Sequence, residues 1–217
     1  MQKETWLKLL SQYRAIAVIR SPDLTLGIHM ATAVAQGGMN LLEITWNSDE
    51  PAQLLRELKT RLSHCVIGVG TILTLKQLEE AIASGAQFCF SPHYDPQLLQ
   101  LSQEAQIPLI PGALSPTEIL KAWHDGASSV KVFPVDAMGG VKYIQSLQGP
   151  LDGIPLIPTG GVTLENAATF IKSGAIAVGL AKELFPQALV VTKNWQAIAL
   201  RTQLLCDTLK PLSVKIN

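Results

Sequence analysis

The 217-residue chain is 47% hydrophobic, enough to bury one substantial core, and its 17 basic residues balance 17 acidic ones with no Lys/Arg-rich block. That balance disfavours a nucleic-acid role, which needs clustered cations along the phosphates. No segment approaches the roughly 20 apolar residues of a membrane span, so a soluble, cytoplasmic protein with no membrane contact is expected.

The N-terminal MQKETWLKLLSQYR places Trp6, Leu9, Leu10 and Tyr13 at helical spacing. A short helix capping the bottom of the fold is expected there. Short apolar, β-branched runs then follow at 15–20, 40–46, 66–72, 88–92, 108–112, 129–134, 155–160 and 175–180, with helical stretches between them. Eight such units predict parallel βα repeats and an α/β fold of the (β/α)8 barrel type, a single domain over 1–217. An open doubly wound sheet is the competing architecture; eight units in so short a chain argue against it. IPLIP at 107–111 returns at 154–158, each copy entering a strand, as expected of equivalent units.

Helix starts carry matching chemistry. Thr74 with Gln77 and Ser115 with Glu118 have capping-box spacing, with Pro116 at the first helical position, and Asp95-Pro96 repeats the device. Gly38, Gly85, Gly126 and Gly174 follow helix ends, where a left-handed residue is wanted.

Barrel strands are covered on both faces, so charge within them needs a reason. Three residues interrupt the runs: Arg20, Glu43 and Lys131, all toward the C-terminal ends where barrel enzymes build their sites. A lysine desolvated near another cation becomes a nucleophilic amine nearer neutral pH and can attack a ketone; a carboxylate must then move protons, and Glu43 is the strand carboxylate available. The alternative is a buried Glu43–Lys131 ion pair, or a Lys131 that snorkels outward, and Arg20 reads equally as a solvated end residue.

GVGT (68–71) places Thr71 where a carboxylate can bind, and PTGG (158–161) lets the backbone approach an anion before the next helix; a tight turn is the simpler reading of each. Pro92, Pro111, Pro134 and Pro158 fall where pairing stops and suggest a stiff rim. His29, His64 and His124 fall on helices away from this mouth, and His93 alone cannot hold a metal, so no metal is expected. Trp46 reads as core or as a wall beside Glu43. Cys65, Cys89 and Cys206 fit neither a disulfide framework nor a zinc site, and read as reduced thiols.

With LLEITW, GVGT, SPH, IPG, KVFP and PTGG in this order, the chain resembles the 2-keto-3-deoxy-6-phosphogluconate (KDPG) aldolase family from about Ala15 to beyond Leu180. The resemblance implies a homotrimeric barrel without metal or cofactor, cleaving a keto-acid phosphate to pyruvate and glyceraldehyde 3-phosphate through a Schiff base. It assigns the imine to Lys131 with Phe133 beside it, acid–base work to Glu43, the pyruvate carboxylate to Thr71, an anion to Arg20, and phosphate to Thr159, Gly160 and Gly161. Two positions depart from the family pattern. Asn47 stands where many members have arginine, leaving the gluconate or galactonate epimer open, and Ala181-Lys182 stands where Gly-Ser often helps hold phosphate. Short unphosphorylated acids such as 4-hydroxy-2-oxoglutarate are an alternative substrate. A phosphosugar isomerase and a non-catalytic sugar-phosphate-binding barrel are the competing functions.

Overall fold

The computed structural model describes residues 1–210; the last seven residues of the expected 1–217 domain lie outside the described part. Each of the eight apolar runs contains a strand. The first three are β1 (Ala15–Ile19), β2 (Leu41–Thr45) and β3 (Val66–Gly70), followed by β4 (Cys89–Phe90), β5 (Leu109–Ile110) and β6 (Gly112–Ala113). The last are β7 (Val130–Val132), β8 (Leu156–Pro158) and β9 (Val178–Leu180). All pairings are parallel, in a six-stranded sheet ordered β5-β4-β3-β2-β1-β9 and a three-stranded sheet ordered β6-β7-β8.

The fifth run, expected as one strand over 108–112, is broken into β5 and β6. Pro111 between them has no N–H to give a ladder. Its carbonyl still accepts from Lys131 N–H at 2.9 Å, so the chain leaves one sheet and joins the other within a residue. At the far edges a single bridge links Thr159 with Gly179, and Ile176 N–H donates to the Leu156 carbonyl at 3.0 Å.

The core has two parts, as expected of sheets covered on both faces. An inner cluster gathers Ile16, Leu41, Phe88, Phe90, Ile110 and Ile157. The N-terminal helix α1 (Lys3–Tyr13) closes it from below with Trp6 and Leu10, both fully buried. The Trp6 indole N–H finds Ser129 Oγ at 3.0 Å, so the large ring is buried without leaving its polar edge unsatisfied. The outer cluster lies between strands and helices and includes α2 (Leu24–Gln36) and α10 (Trp195–Leu209) through Met30, Val34, Ile198 and Leu205.

Local chemistry fixes the helix ends. Ser115 and Glu118 form a complete capping box on α6 (Pro116–His124), and Asp95 caps α5 (Pro96–Glu104) through Gln97 N–H. Gly38, Gly85, Gly126 and Gly174 all have φ between +89° and +98°, the region where a side chain is strained. Among the described residues no helix is long and apolar enough to cross a membrane.

Candidate active site

Side chains alternate between faces along a strand, and the register decides which groups share the inner face above the apolar cluster. Glu43 on β2 pairs with Val18 on β1 and with Gly68 on β3, and Lys131 on β7 pairs with Gly112 on β6. Glu43 is 2% exposed and Lys131 6%. Burial pushes the Glu43 carboxyl up from the ordinary carboxyl range, opposed by the charges of Lys131 and then Arg20. Burial also pushes the Lys131 amine down from 10.5; Glu43 opposes this and Arg20 adds to it. Electrostatically, the three strand charges therefore meet.

They meet without forming a contact pair. Among the described residues the ion pairs within 4 Å are four surface pairs at helical spacing, and Lys131–Glu43 is not one of them. The amine instead sits 4.7 Å from the Phe133 ring centre and 5.9 Å from that of Phe90. A simple buried ion pair would close that gap, because a buried charge gains most at contact distance.

Arg20 lies one residue past β1, is exposed, and donates from Nε to Asn47 Oδ1 at 3.2 Å. The loops carrying both are stitched together: Ser21 N–H donates to Ser48 Oγ at 3.1 Å, and Asp49 N–H to the Ser21 carbonyl at 3.0 Å. Thr71 follows β3 with φ +59°, a left-handed conformation that costs a β-branched residue about 1–3 kcal/mol. Strain of that kind persists where the surroundings impose it, and here it lies one residue beyond Gly70, which faces Glu43.

The glycine loop after β8 turns through Gly160 and Gly161, with φ +80° and +92°. A Cβ at Gly160 would press on the Phe133 ring at 3.2 Å and one at Gly161 would clash with Asp136 Cβ at 2.4 Å, and at both positions the positive φ strains any side chain. Asn166 braces the loop, accepting from Thr163 N–H at 2.8 Å and donating to the Gly161 carbonyl at 3.0 Å. This loop, Thr159 and Lys182 line a cleft of about 340 Å³ that Asp136 and Glu183 also border. A neighbouring cleft holds His93, Gly112 and Phe133, with His93 Nδ1 3.0 Å from Ser91 Oγ.

Two readings of the sequence change. Trp46 packs against the outer cluster rather than beside Glu43, because Glu43 and Thr45 occupy the inner positions of β2 and the next residue falls on the other face. Gly70 matters more than its motif suggested: a Cβ there would stand 1.7 Å from Glu43 Oε1. The GxG pattern gave the only signal, and it did not say which side chain needed the room. The three cysteines are buried free thiols; burial, aided by Glu43, pushes Cys89 up to about 12, which leaves it inert at neutral pH.

A desolvated amine coupled electrostatically to a buried carboxylate, both carried on parallel strands, is the equipment of an aldolase, a carbon–carbon lyase. The chain belongs to the KDPG and KHG aldolase family, whose model matches residues 7–200. A 2-dehydro-3-deoxy-phosphogluconate aldolase of Haemophilus influenzae is 30% identical over 204 residues, spanning 94% of this chain and 96% of its own. A KHG/KDPG aldolase of Escherichia coli K12 is 33% identical over 156 residues, 72% of this chain and 73% of its own. The crystal structure of a Legionella pneumophila KDPG aldolase, with pyruvate captured at low pH as a covalent carbinolamine intermediate, matches with a TM-score of 0.86 at 27% identity. It covers 94% of this chain and 98% of that one.

Proposed function

We propose that the chain cleaves 2-keto-3-deoxy-6-phosphogluconate reversibly to pyruvate and glyceraldehyde 3-phosphate through an imine on Lys131. The observation that carries this reading is the buried Lys131 amine, pushed below its ordinary value and held off Glu43 without a contact pair. The neutral amine adds to the C2 ketone, and loss of water gives an iminium that accepts electrons when the C3–C4 bond breaks. Glu43 takes the proton of the C4 hydroxyl and returns one to the enamine. Hydrolysis then frees pyruvate. Thr71 holds the pyruvate carboxylate, Phe133 packs beside the imine, Arg20 binds an anionic group of the substrate, and Asn47, its hydrogen-bond partner, contacts the substrate beside it. Thr159, Gly160 and Gly161 take the phosphate.

The same proposal takes the two sheets as one closed eight-stranded barrel, supported by the step through Pro111 and the Thr159–Gly179 bridge. It takes the chain as one domain working in the cytoplasm as a homotrimer. Asn47 leaves room for the galactonate epimer as substrate. Cleavage of 4-hydroxy-2-oxoglutarate is a second reading, favoured by Asp136 and Glu183, whose charges offset Lys182 in the glycine-loop cleft.

Pyruvate with borohydride is expected to leave a reduced adduct on Lys131, located by peptide mass spectrometry. Folded protein that yields no adduct, or one on another lysine, refutes the imine assignment. Arg20→Met is expected to slow trapping near neutral pH. Removing that cation raises the Lys131 pKa, so the rate reaches its plateau at higher pH than in the unsubstituted protein; an unmoved profile would mean that Arg20 does not act on the amine.

A further inference from the structure

A cleft of about 380 Å³ opens in the outer layer of the fold, between the end of β1, the start of α2 and the segment that runs from β9 into α9 (Gln187–Val191). Leu26, Met30, Phe185 and Val190 wall it, and all four belong to the outer cluster or pack against it. The volume lies within the range of roughly 300–1,000 Å³ usual for small-molecule sites. Neither Glu43 nor Lys131 lines this cleft, so it stands apart from the reaction centre.

Its charge has one sign. Arg20 and Lys182 line it, and no acidic side chain does. Among the described residues neither cation makes an ion pair within 4 Å: the four such pairs lie elsewhere, at helical spacing, and Arg20 bonds through Nε to the neutral amide of Asn47. Two cations beside an apolar cavity repel a cationic guest. The walls disfavour a sugar or a phosphate, which would lose water inside without regaining hydrogen bonds. The guest that suits both parts is amphipathic, with a carboxylate making charge-assisted bonds to the exposed cations and an alkyl chain within.

We infer that this cleft binds an aliphatic monocarboxylate of medium chain length, its carboxylate between Arg20 and Lys182 and its chain among Leu26, Met30, Phe185 and Val190, and that the bound acid slows the aldolase reaction. The cleft acts through the two cations it shares with the site. Lys182 also lines the glycine-loop cleft, and an ammonium drawn to a carboxylate here is withdrawn from a phosphate there. The charge of Arg20 is felt at both Glu43 and Lys131, and a bound carboxylate offsets it, which leaves more of the Lys131 amine protonated. Binding follows from the cleft alone; the effect on turnover rests on the Schiff-base reading above.

Titration calorimetry of the full chain with hexanoate, octanoate and octanol tests the binding. Each buried methylene is worth about fourfold in affinity, so octanoate is expected to bind about fifteenfold more tightly than hexanoate. It is also expected to bind more tightly than octanol, which lacks the charge. Leu26→Trp and Val190→Trp fill the cleft from α2 and α9. Each, checked for folding by its melting curve, is expected to weaken octanoate binding by more than about tenfold while trapping pyruvate at the unsubstituted rate. Octanoate is expected to slow borohydride trapping of pyruvate on Lys131 in the unsubstituted protein and to leave both variants unaffected. Octanoate that binds no more tightly than hexanoate or octanol, binding that survives in both folded variants, or bound octanoate that leaves trapping on Lys131 at full rate overturns the inference. A protein that binds octanoate with this selectivity yet forms no adduct on Lys131 keeps the binding site and refutes the imine reading instead.

Discussion

Lys131→Met is expected to remove pyruvate release by at least about 10⁴-fold, because without an imine only positioning and proton transfer, roughly 10²–10⁴-fold, remain. The stability of the same variant separates chemistry from folding. Burial holds the Lys131 amine below 10.5, so the charged lysine costs stability at neutral pH, and that cost disappears only as pH rises through the native value toward 10.5. Methionine fills similar volume without the charge. Against this gain, Glu43 loses the strongest charge opposing its upward shift and keeps its proton in the folded state to higher pH. A carboxyl with a raised folded pKa loses stability as pH climbs above its unfolded value. The variant's advantage over the unsubstituted protein is therefore expected to be largest in acid, where Glu43 keeps its proton in both folded proteins, and to shrink as pH climbs above the ordinary carboxyl value of 4.5 and Glu43 ionises in the unsubstituted protein first. Thermal melting at several pH values reads this directly. An advantage that grows with pH would show that the two groups are not coupled as described, and activity near that of the unsubstituted protein would remove Lys131 from the reaction.

Much of this arrangement was legible because it follows from local rules. Apolar runs of strand length mark both-face burial, and each of the eight contains a strand. The left-handed glycines at 38, 85, 126 and 174 and the capping box at Ser115 are fixed by their immediate neighbours. Arg20, Glu43 and Lys131 stood out because charge inside such runs is costly, and their electrostatic coupling follows from register. What was not legible depends on partners distant in sequence. Pro111 signals a rim, yet the division of its run between two sheets depends on which neighbours Ile110 and Gly112 find, Phe90 and Lys131 respectively. The apolar cleft joins Leu26 and Met30 to Phe185 and Val190, segments that no periodicity connects. Gly70 belongs to the same category, since the space it leaves is defined by a side chain on another strand.

Gly70→Ala therefore tests the position of the carboxylate without altering the carboxylate itself. The new Cβ would lie 1.7 Å from Glu43 Oε1, 2.4 Å from Cδ and 2.8 Å from Cγ, so the side chain must leave its place. Gly70 is not among the positive-φ glycines, and its backbone accepts alanine; the damage falls on Glu43. Overpacking of this kind costs about 1–3 kcal/mol, which a shift in melting temperature measures. The rate of pyruvate release is expected to fall about 10²–10⁴-fold, the usual worth of a positioned proton-transfer group. Glu43→Gln should lose activity to a similar extent, yet gain stability at neutral pH, because it removes a carboxyl that burial disfavours in its charged form. Matching activities with opposite stability changes would identify Gly70 as a positioning residue that acts through Glu43. If Gly70→Ala keeps near-full activity while Glu43→Gln does not, the carboxylate works from some other rotamer. If both keep it, proton transfer belongs to another group at the mouth, and His93, exposed after β4 and lining the cleft beside Phe133, would be the next residue to replace.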